Sequence, residues 1–191
     1  MKKIYSEFIL GDMRACYVQD EETGSMELVL LPADRTYEVS YREKPYPDSL
    51  VQVKLAGDTY AGGYAGGRTM RQSASVQNLV FEGQEATDGG AEAGARETGG
   101  KVICTSFSDK RGYRYRHYLV WKKGKKSLLS YTEFENASGQ AADLEMLSSF
   151  SLGGISPFVG ADESGCLKLH RIRSVWSMEG RTESQLLEDL Q

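Results

Sequence analysis

No two cysteines in this sequence stand close enough to clasp a metal ion. The three present, Cys16, Cys104 and Cys166, are odd in number and widely spaced, and no C-x-x-C pair occurs. The two histidines, His117 and His170, are also far apart. Neither a zinc site nor a disulfide framework is expected from that spacing. Reduced, buried thiols in a cytoplasmic protein are the simplest reading. Long apolar runs are missing too, and nothing approaches the roughly 18 residues a membrane span requires. The opening MKKIYSEFILGDM is broken by Glu7 and is followed by no small-residue cleavage site. It does not read as a signal peptide. A cytosolic product with no membrane partner is expected.

A basic excess is absent. Lys and Arg number 23 against 27 Asp and Glu, a net charge of −4, which argues against a nucleic-acid partner. The glycine run YAGGYAGGRTMR (60–71) has no Gly-Lys-Ser/Thr, because Gly67 is followed by Arg68 and Thr69. It also lacks the G-x-G-x-x-G spacing of a dinucleotide loop. Carboxylates are plentiful but form no acid/base pair by spacing; Glu135, Asp143 and Glu145 read as a solvated rim. No nucleophile, metal ligand or cofactor box can be named. His170 reads as a structural histidine rather than a general base, since no serine or cysteine stands near it in a triad-like setting.

What the chain does have is strand periodicity. In YRYRHYLVWKK, Tyr113, Tyr115, His117, Leu119 and Trp121 share one face, and Arg114, Arg116, Tyr118, Val120 and Lys122 share the other. KKGKK then supplies a turn at Gly124 and SLLSYTEFEN runs back, which predicts a β-hairpin. Short runs at MRACYVQ, MELVLL, SLVQVKL, VQNLVFEG, KVICTSF and ADLEMLSSF bring the number of expected strands to ten or so, including the opening stretch. Their spacing, with turn signals between most of them, predicts a large antiparallel sandwich. At 191 residues a compact fold buries roughly 70% of its unfolded surface and needs no staples. The Gly, Ala and acid tract Glu82–Lys101 has too few large apolar residues to fold alone and is read as a hairpin loop.

Two segments invite a partner. The run Tyr60–Arg71 alternates tyrosines with glycine pairs and ends in Arg68 and Arg71, a composition suited either to an irregular surface loop or to an interface or sugar contact. LKLHRIRSVWSMEG (167–180) crowds His170, Arg171, Arg173, Trp176 and Glu179 among Leu167, Leu169, Ile172 and Val175. Trp176 is read either as a packing anchor or as a platform for a sugar ring. TESQLLEDLQ is either a helix start, with Thr182 and Gln185 as a capping box, or a further strand.

The segments GGRTMRQS (66–73), FSDKRGYRYRHYLVW (107–121), FENASGQAADLEMLSSFSLGGISPF (134–158) and LHRIRSVWSMEGR (169–181) together resemble the N-terminal domain of glycoside hydrolase family 36, mainly α-galactosidases. The likeness runs from about Tyr60 to the end; the first 59 residues match only in strand pattern. It implies an all-β supersandwich as one N-terminal domain over residues 1–191, incomplete at its C-terminal end and followed in the parent enzyme by a (β/α)8 barrel. Both catalytic aspartates of such enzymes lie in the barrel, so the resemblance implies no catalytic residue, cofactor or metal in this chain. A retaining mechanism needs carboxyl groups about 5 to 5.5 Å apart, and no pair here is nominated.

The implied role is that of a non-catalytic domain of a cytoplasmic retaining α-galactosidase. Such an enzyme removes terminal α-linked galactose from oligosaccharides of the raffinose and melibiose type. The domain would support the barrel, oligomer contacts and the rim of the substrate pocket. Arg68, Thr69, Arg71 and Trp176 are the rim or interface candidates. His170, Arg171, Arg173 and Glu179 are the interdomain seam, with the apolar residues of that strand turned to the sandwich. The partners implied are a galactoside, the chain's own barrel and sister subunits. An exposed apolar patch is expected near the C-terminal segment. The alternatives are a free-standing carbohydrate-binding sandwich, with Trp176 and the tyrosines as its platform, and a purely structural interaction module.

Overall fold

Alternating apolar and polar residues become antiparallel strands nearly everywhere the spacing predicts them. A computed structural model describes residues 2–36, 48–59, 73–89, 99–153, 165, 167–174 and 179–189. Of these, 59% lie in strands and 5% in helix, an all-β, sandwich-like fold. The chain divides into two units, Met1–Ile155 and Ser156–Gln191.

In the first unit, β1 (Lys2–Leu10), β2 (Met13–Asp20) and β3 (Met26–Pro32) form a three-stranded antiparallel sheet in that order. The short β4 (Val53–Leu55) follows, then a single helical turn, α1 (Ala74–Gln77). Next come β5 (Val80–Asp88), β6 (Gly100–Asp109), β7 (Tyr113–Lys122) and β8 (Leu128–Asn136), a four-stranded antiparallel sheet in sequence order. The short β9 (Leu144–Leu147) returns to pair with β4. The expected strand VQNLVFEG is divided: Val76 and Gln77 belong to α1 and strand begins only at Val80. The reason is local. Ser73 is extended and its hydroxyl accepts the Val76 N–H at 3.2 Å, a cap that turns the chain before the strand can start. The acidic tract is strand at both ends, through Asp88 and from Gly100, and its centre lies outside the described residues.

The core sits between the two larger sheets. Leu10, Ala15, Tyr17, Met26 and Leu28 come from one side and Ile103, Phe107, Tyr115 and Leu119 from the other, with Leu50, Val51, Val53, Leu55, Val76 and Leu79 joining them. Burying a side chain of this size stabilises by roughly 1.5–3 kcal/mol. The opposite face of β2 and β3 is buried as well, with Cys16, Val18, Val29 and Leu31 in a second cluster. The Cys16 thiol donates to Glu7 Oε1 at 3.2 Å. Burial, then this bond to a carboxylate, pushes its pKa up to about 12, so the thiol stays protonated and unreactive.

The segment SSFSLG (148–153) after β9 closes one side of this sandwich. The Thr132 and Ser130 hydroxyls of β8 donate to the carbonyls of Ser148 (2.8 Å) and Ser149 (2.9 Å). Gln52 donates its backbone N–H to Ser148 Oγ and its side-chain amide to Ser151 Oγ, both at 2.9 Å. Gly153 then donates to the Leu28 carbonyl of β3 at 2.8 Å, beside Leu50, which donates to Met26 at 2.6 Å. The strap is therefore tied to β8 through hydroxyl side chains and to the outer edge of β3 through its backbone, an edge that otherwise invites foreign strands. Glycine is required at 153: a Cβ there would stand 1.7 Å from Glu27 Oε1, whose residue is buried.

The second unit holds one antiparallel hairpin, β10 (Lys168–Arg173) and β11 (Arg181–Leu186), then a 3-10 turn at Leu187–Asp189. The helix reading of TESQLLEDLQ is thereby corrected. Alternation in RTESQL pairs residue for residue with KLHRIR, and Thr182 and Gln185 lie on opposite faces of a strand instead of capping a helix. No helix among the described residues is long and apolar enough to cross a membrane.

Candidate functional site

The register of the hairpin decides which polar groups meet. Leu169 opposes Gln185, Arg171 opposes Glu183 and Arg173 opposes Arg181, so these six share one face. His170 opposes Ser184 and Ile172 opposes Thr182 on the other face. Three arginines thus surround one glutamate. Arg173 donates to Glu183 Oε2 from Nε at 2.9 Å, with a second guanidinium nitrogen at 2.8 Å. Arg171 stands 3.7 Å from the same oxygen and donates to Gln185 Oε1. The hydrogen bond from Arg173, with the nearby charges of Arg171 and Arg181, holds the Glu183 carboxyl below its usual pKa. One carboxylate cannot neutralise three guanidinium groups, so this face is cationic.

On the opposite face His170 Nδ1 meets Ser184 Oγ at 2.7 Å. Ile172 there is 75% exposed, and Leu169 and Leu187 are exposed as well. Glu179 lies in the turn between the strands, next to Gly180, whose φ of +77° favours glycine. Alternation puts Leu169 beside the arginines and Ile172 across from them, so the hairpin does not sort apolar from charged residues onto separate faces. Of the eight residues singled out from sequence, His170, Arg171, Arg173 and Glu179 are thus described. Arg68, Thr69, Arg71 and Trp176 lie outside the described residues. Arg181 and Glu183 were missed because only the pairing register brings them to Arg171 and Arg173.

A second cluster lies in the first unit and was not legible beforehand. Arg111, in the β6–β7 turn, donates to both oxygens of Asp58 (2.7 and 3.0 Å) and to both oxygens of Asp109 (Nε at 3.1 and 3.0 Å, a terminal nitrogen at 2.6 Å). Asp109 Oδ1 also accepts the Arg111 backbone N–H at 2.8 Å, which shapes the turn. The Asp109 side chain is 1% exposed against 38% for Arg111. Ser75 Oγ donates to Asp58 Oδ2 at 2.5 Å and accepts the Leu55 N–H at 3.0 Å. Hydrogen bonds from Arg111, ahead of that from Ser75, lower the Asp58 pKa against the opposing effect of burial. The two acids raise that of Arg111 in turn, Asp109 first. A carboxylate such as Asp58 held ionised in this way is a poor proton donor, and the arrangement is that of a clamp.

The third polar feature is internal. Gln84, Thr105, His117 and Thr132 line up across all four strands of the larger sheet. Gln84 Nε2 donates to Thr105 Oγ1 at 2.9 Å, and Gln84 Oε1 accepts from Ser6 Oγ of β1 at 2.5 Å. His117 Nε2 lies 2.9 Å from Ser130 Oγ. The single Ser130 hydroxyl proton is directed to the Ser149 carbonyl, so Ser130 accepts and His117 donates from Nε2. Nδ1 is then a bare acceptor, buried and without a hydrogen-bond partner among the described residues. Burial lowers the His117 pKa to about 4, and the ring is neutral at physiological pH.

Among the described residues, no group of three or more His, Cys, Asp or Glu is arranged to hold a metal ion. No family model matches the chain, nor does any curated protein or solved structure.

Proposed function

We propose that this chain is the non-catalytic N-terminal β-sandwich domain of an α-galactosidase of the family-36 type, with β10–β11 as the ribbon that meets the catalytic barrel or a sister subunit. The observation that carries the reading is the ribbon itself. Residues 156–191 form a unit whose only described sheet is two-stranded, and Ile172 on it is 75% exposed. A two-stranded hairpin is marginal in water without a body to pack against. Its three arginines around Glu183 leave donors that suit carboxylates or carbonyls of a protein surface, which a planar guanidinium binds through two hydrogen bonds. The four family-like segments support the same reading. Two of them acquire a physical role in the fold: LEMLSSFSLG (144–153) holds β9 and the strap, and LHRIR lies in β10.

The test begins with the gene. Its reading frame is expected to continue past Gln191 into a barrel-sized sequence whose product hydrolyses an aryl α-galactoside with retention of configuration. The 191 residues alone are expected to show no such hydrolysis. A longer product without this activity, or galactose binding by the 191-residue chain in calorimetry, would overturn the reading, the latter in favour of a free-standing carbohydrate-binding sandwich.

A further inference from the structure

The β7–β8 turn carries four cations and no anion. Lys122, Lys123, Lys125 and Lys126 flank Gly124 and are all exposed. None of the four has an ion-pair partner among the described residues. Lys2, Lys3, Lys54 and Lys101, by contrast, each stand within 3.4 Å of a carboxylate. Asp88, at the same end of the sheet as the tip, is taken by Lys101 at 2.8 Å.

The tip is held in place. Trp121 Nε1 donates to the Lys125 carbonyl at 2.9 Å, and the Lys125 N–H donates to that of Lys122 at 3.0 Å. The Lys123 N–H donates to the Gly99 carbonyl, just before β6, at 3.2 Å. The Trp121 ring packs on Gly11 of the β1–β2 turn, where a Cβ would stand 3.2 Å from it. Crowding like charges on such a fixed backbone costs stability by self-repulsion, a cost that an external anionic surface removes.

Apolar groups border the same tip. Leu129 lies three residues beyond Lys126, about 10 Å along extended chain, and is 49% exposed. Phe150 on the strap is 59% exposed and follows Ser149, whose carbonyl accepts the Ser130 hydroxyl at 2.9 Å. Leu129 and Phe150 therefore flank one hydrogen bond near the tip end of β8.

We propose that Lys122, Lys123, Lys125 and Lys126, with Leu129 and Phe150 beside them, form a peripheral docking surface for the anionic headgroups of a lipid bilayer. Stable attachment to a membrane surface takes two signals, charge and apolar insertion, and this end of the sandwich carries both. A nucleic acid duplex offers phosphates but no apolar phase for Leu129. The expectation of no membrane partner rested on the lack of a spanning segment, and surface docking needs none. The arginine ribbon is the weaker candidate, because Arg171 and Arg173 already share Glu183.

The test is co-sedimentation of the full chain with vesicles of phosphatidylserine and phosphatidylcholine, set against phosphatidylcholine alone. Binding is expected only to the anionic vesicles, weakening as salt is added. Each lysine lost near such a surface costs about fivefold in affinity, so Lys122→Gln with Lys123→Gln should bind roughly 25-fold more weakly. Replacing all four by glutamine should abolish binding. Leu129→Ser with Phe150→Ser, at unchanged charge, should weaken binding severalfold. Lys110→Gln, in the β6–β7 turn, should change nothing. No binding by the unaltered chain, or full binding by the fourfold variant, would overturn the proposal. So would loss of binding in Arg171→Gln with Arg173→Gln but not in the tip variants, which would move the site to the ribbon. Lysine-dependent binding that ignores Leu129 and Phe150, and that a duplex oligonucleotide matches, would overturn it in favour of a polyanion site.

Discussion

His117 and His170 each meet a serine of the neighbouring antiparallel strand, His117 the diagonal Ser130 at 2.9 Å and His170 the directly opposite Ser184 at 2.7 Å. The chemistry on the two sites differs because of what lies around them. His117 is completely buried in the sandwich, and its serine passes the hydrogen bond on to the strap at Ser149. His170 stands on an exposed ribbon beside Ile172. The arginine–carboxylate clusters repeat the contrast. Arg111 closes on an enclosed Asp109, whereas Arg171 and Arg173 share a Glu183 whose side chain is 31% exposed. The same polar pairs are structural in the first unit and displayed in the second. Burial decides which, since desolvation makes a paired group costly to disturb and an exposed pair nearly free to break.

The largest effect should come from protonating the enclosed histidine. Folded His117 resists protonation down to about pH 4, while the unfolded chain takes up that proton near pH 6.5. Between those values the unfolded state binds more protons, so stability is complete above pH 6.5 and falls as the pH drops toward 4. The loss is about 3 kcal/mol at its full extent. Urea unfolding across this range, compared with His117→Gln, measures it. Glutamine does not titrate, so its curve should be flatter by that amount. Parallel curves for the two proteins would mean that water reaches the imidazole.

Next in size is the clamp. Asp109→Ala removes a buried acceptor from both the Arg111 guanidinium and the Arg111 backbone N–H. A loss of about 2 kcal/mol is expected in denaturant unfolding, the cost of unmaking a buried charge-assisted contact and its turn. Asp109→Asn still accepts the backbone N–H and should lose roughly half as much. Equal losses would assign the whole effect to the ion pair, and no loss in either would place the cluster with the surface pairs.

The strands that alternation announced, β7 and β8 above all, were readable because one face of each is core and the other is not. The sandwich followed from their number and spacing. What stayed hidden lies where no local period exists. Asp58 and Arg111 are 53 residues apart, and nothing in either neighbourhood points to the other. The strap residues Ser148, Ser149 and Ser151 use backbone carbonyls and hydroxyls to reach other elements, a role that leaves no mark in hydropathy. In the ribbon, Arg171 and Arg173 stood out as charges in an apolar run. Their partner Glu183 depended on register, and the capping-box spacing of Thr182 and Gln185 argued for a competing helix. Local signals name the cations; only pairing supplies the anion.

The smallest effect is expected from the exposed cluster, and it tests the comparison from its other side. Glu183→Ala breaks contacts that Arg173 makes at 2.8 and 2.9 Å, yet the groups involved remain in water and lose little by it. The main unfolding transition should move by no more than about 1 °C. The ribbon itself should change more than the transition does. With Glu183 gone, Arg171, Arg173 and Arg181 form an uninterrupted cationic face, so retention on a cation exchanger should increase and fall back with added salt. A thermal shift as large as that of Asp109→Ala would mean that the ribbon is part of the cooperative fold, and the division between a locked interior and a displayed ribbon would not survive it.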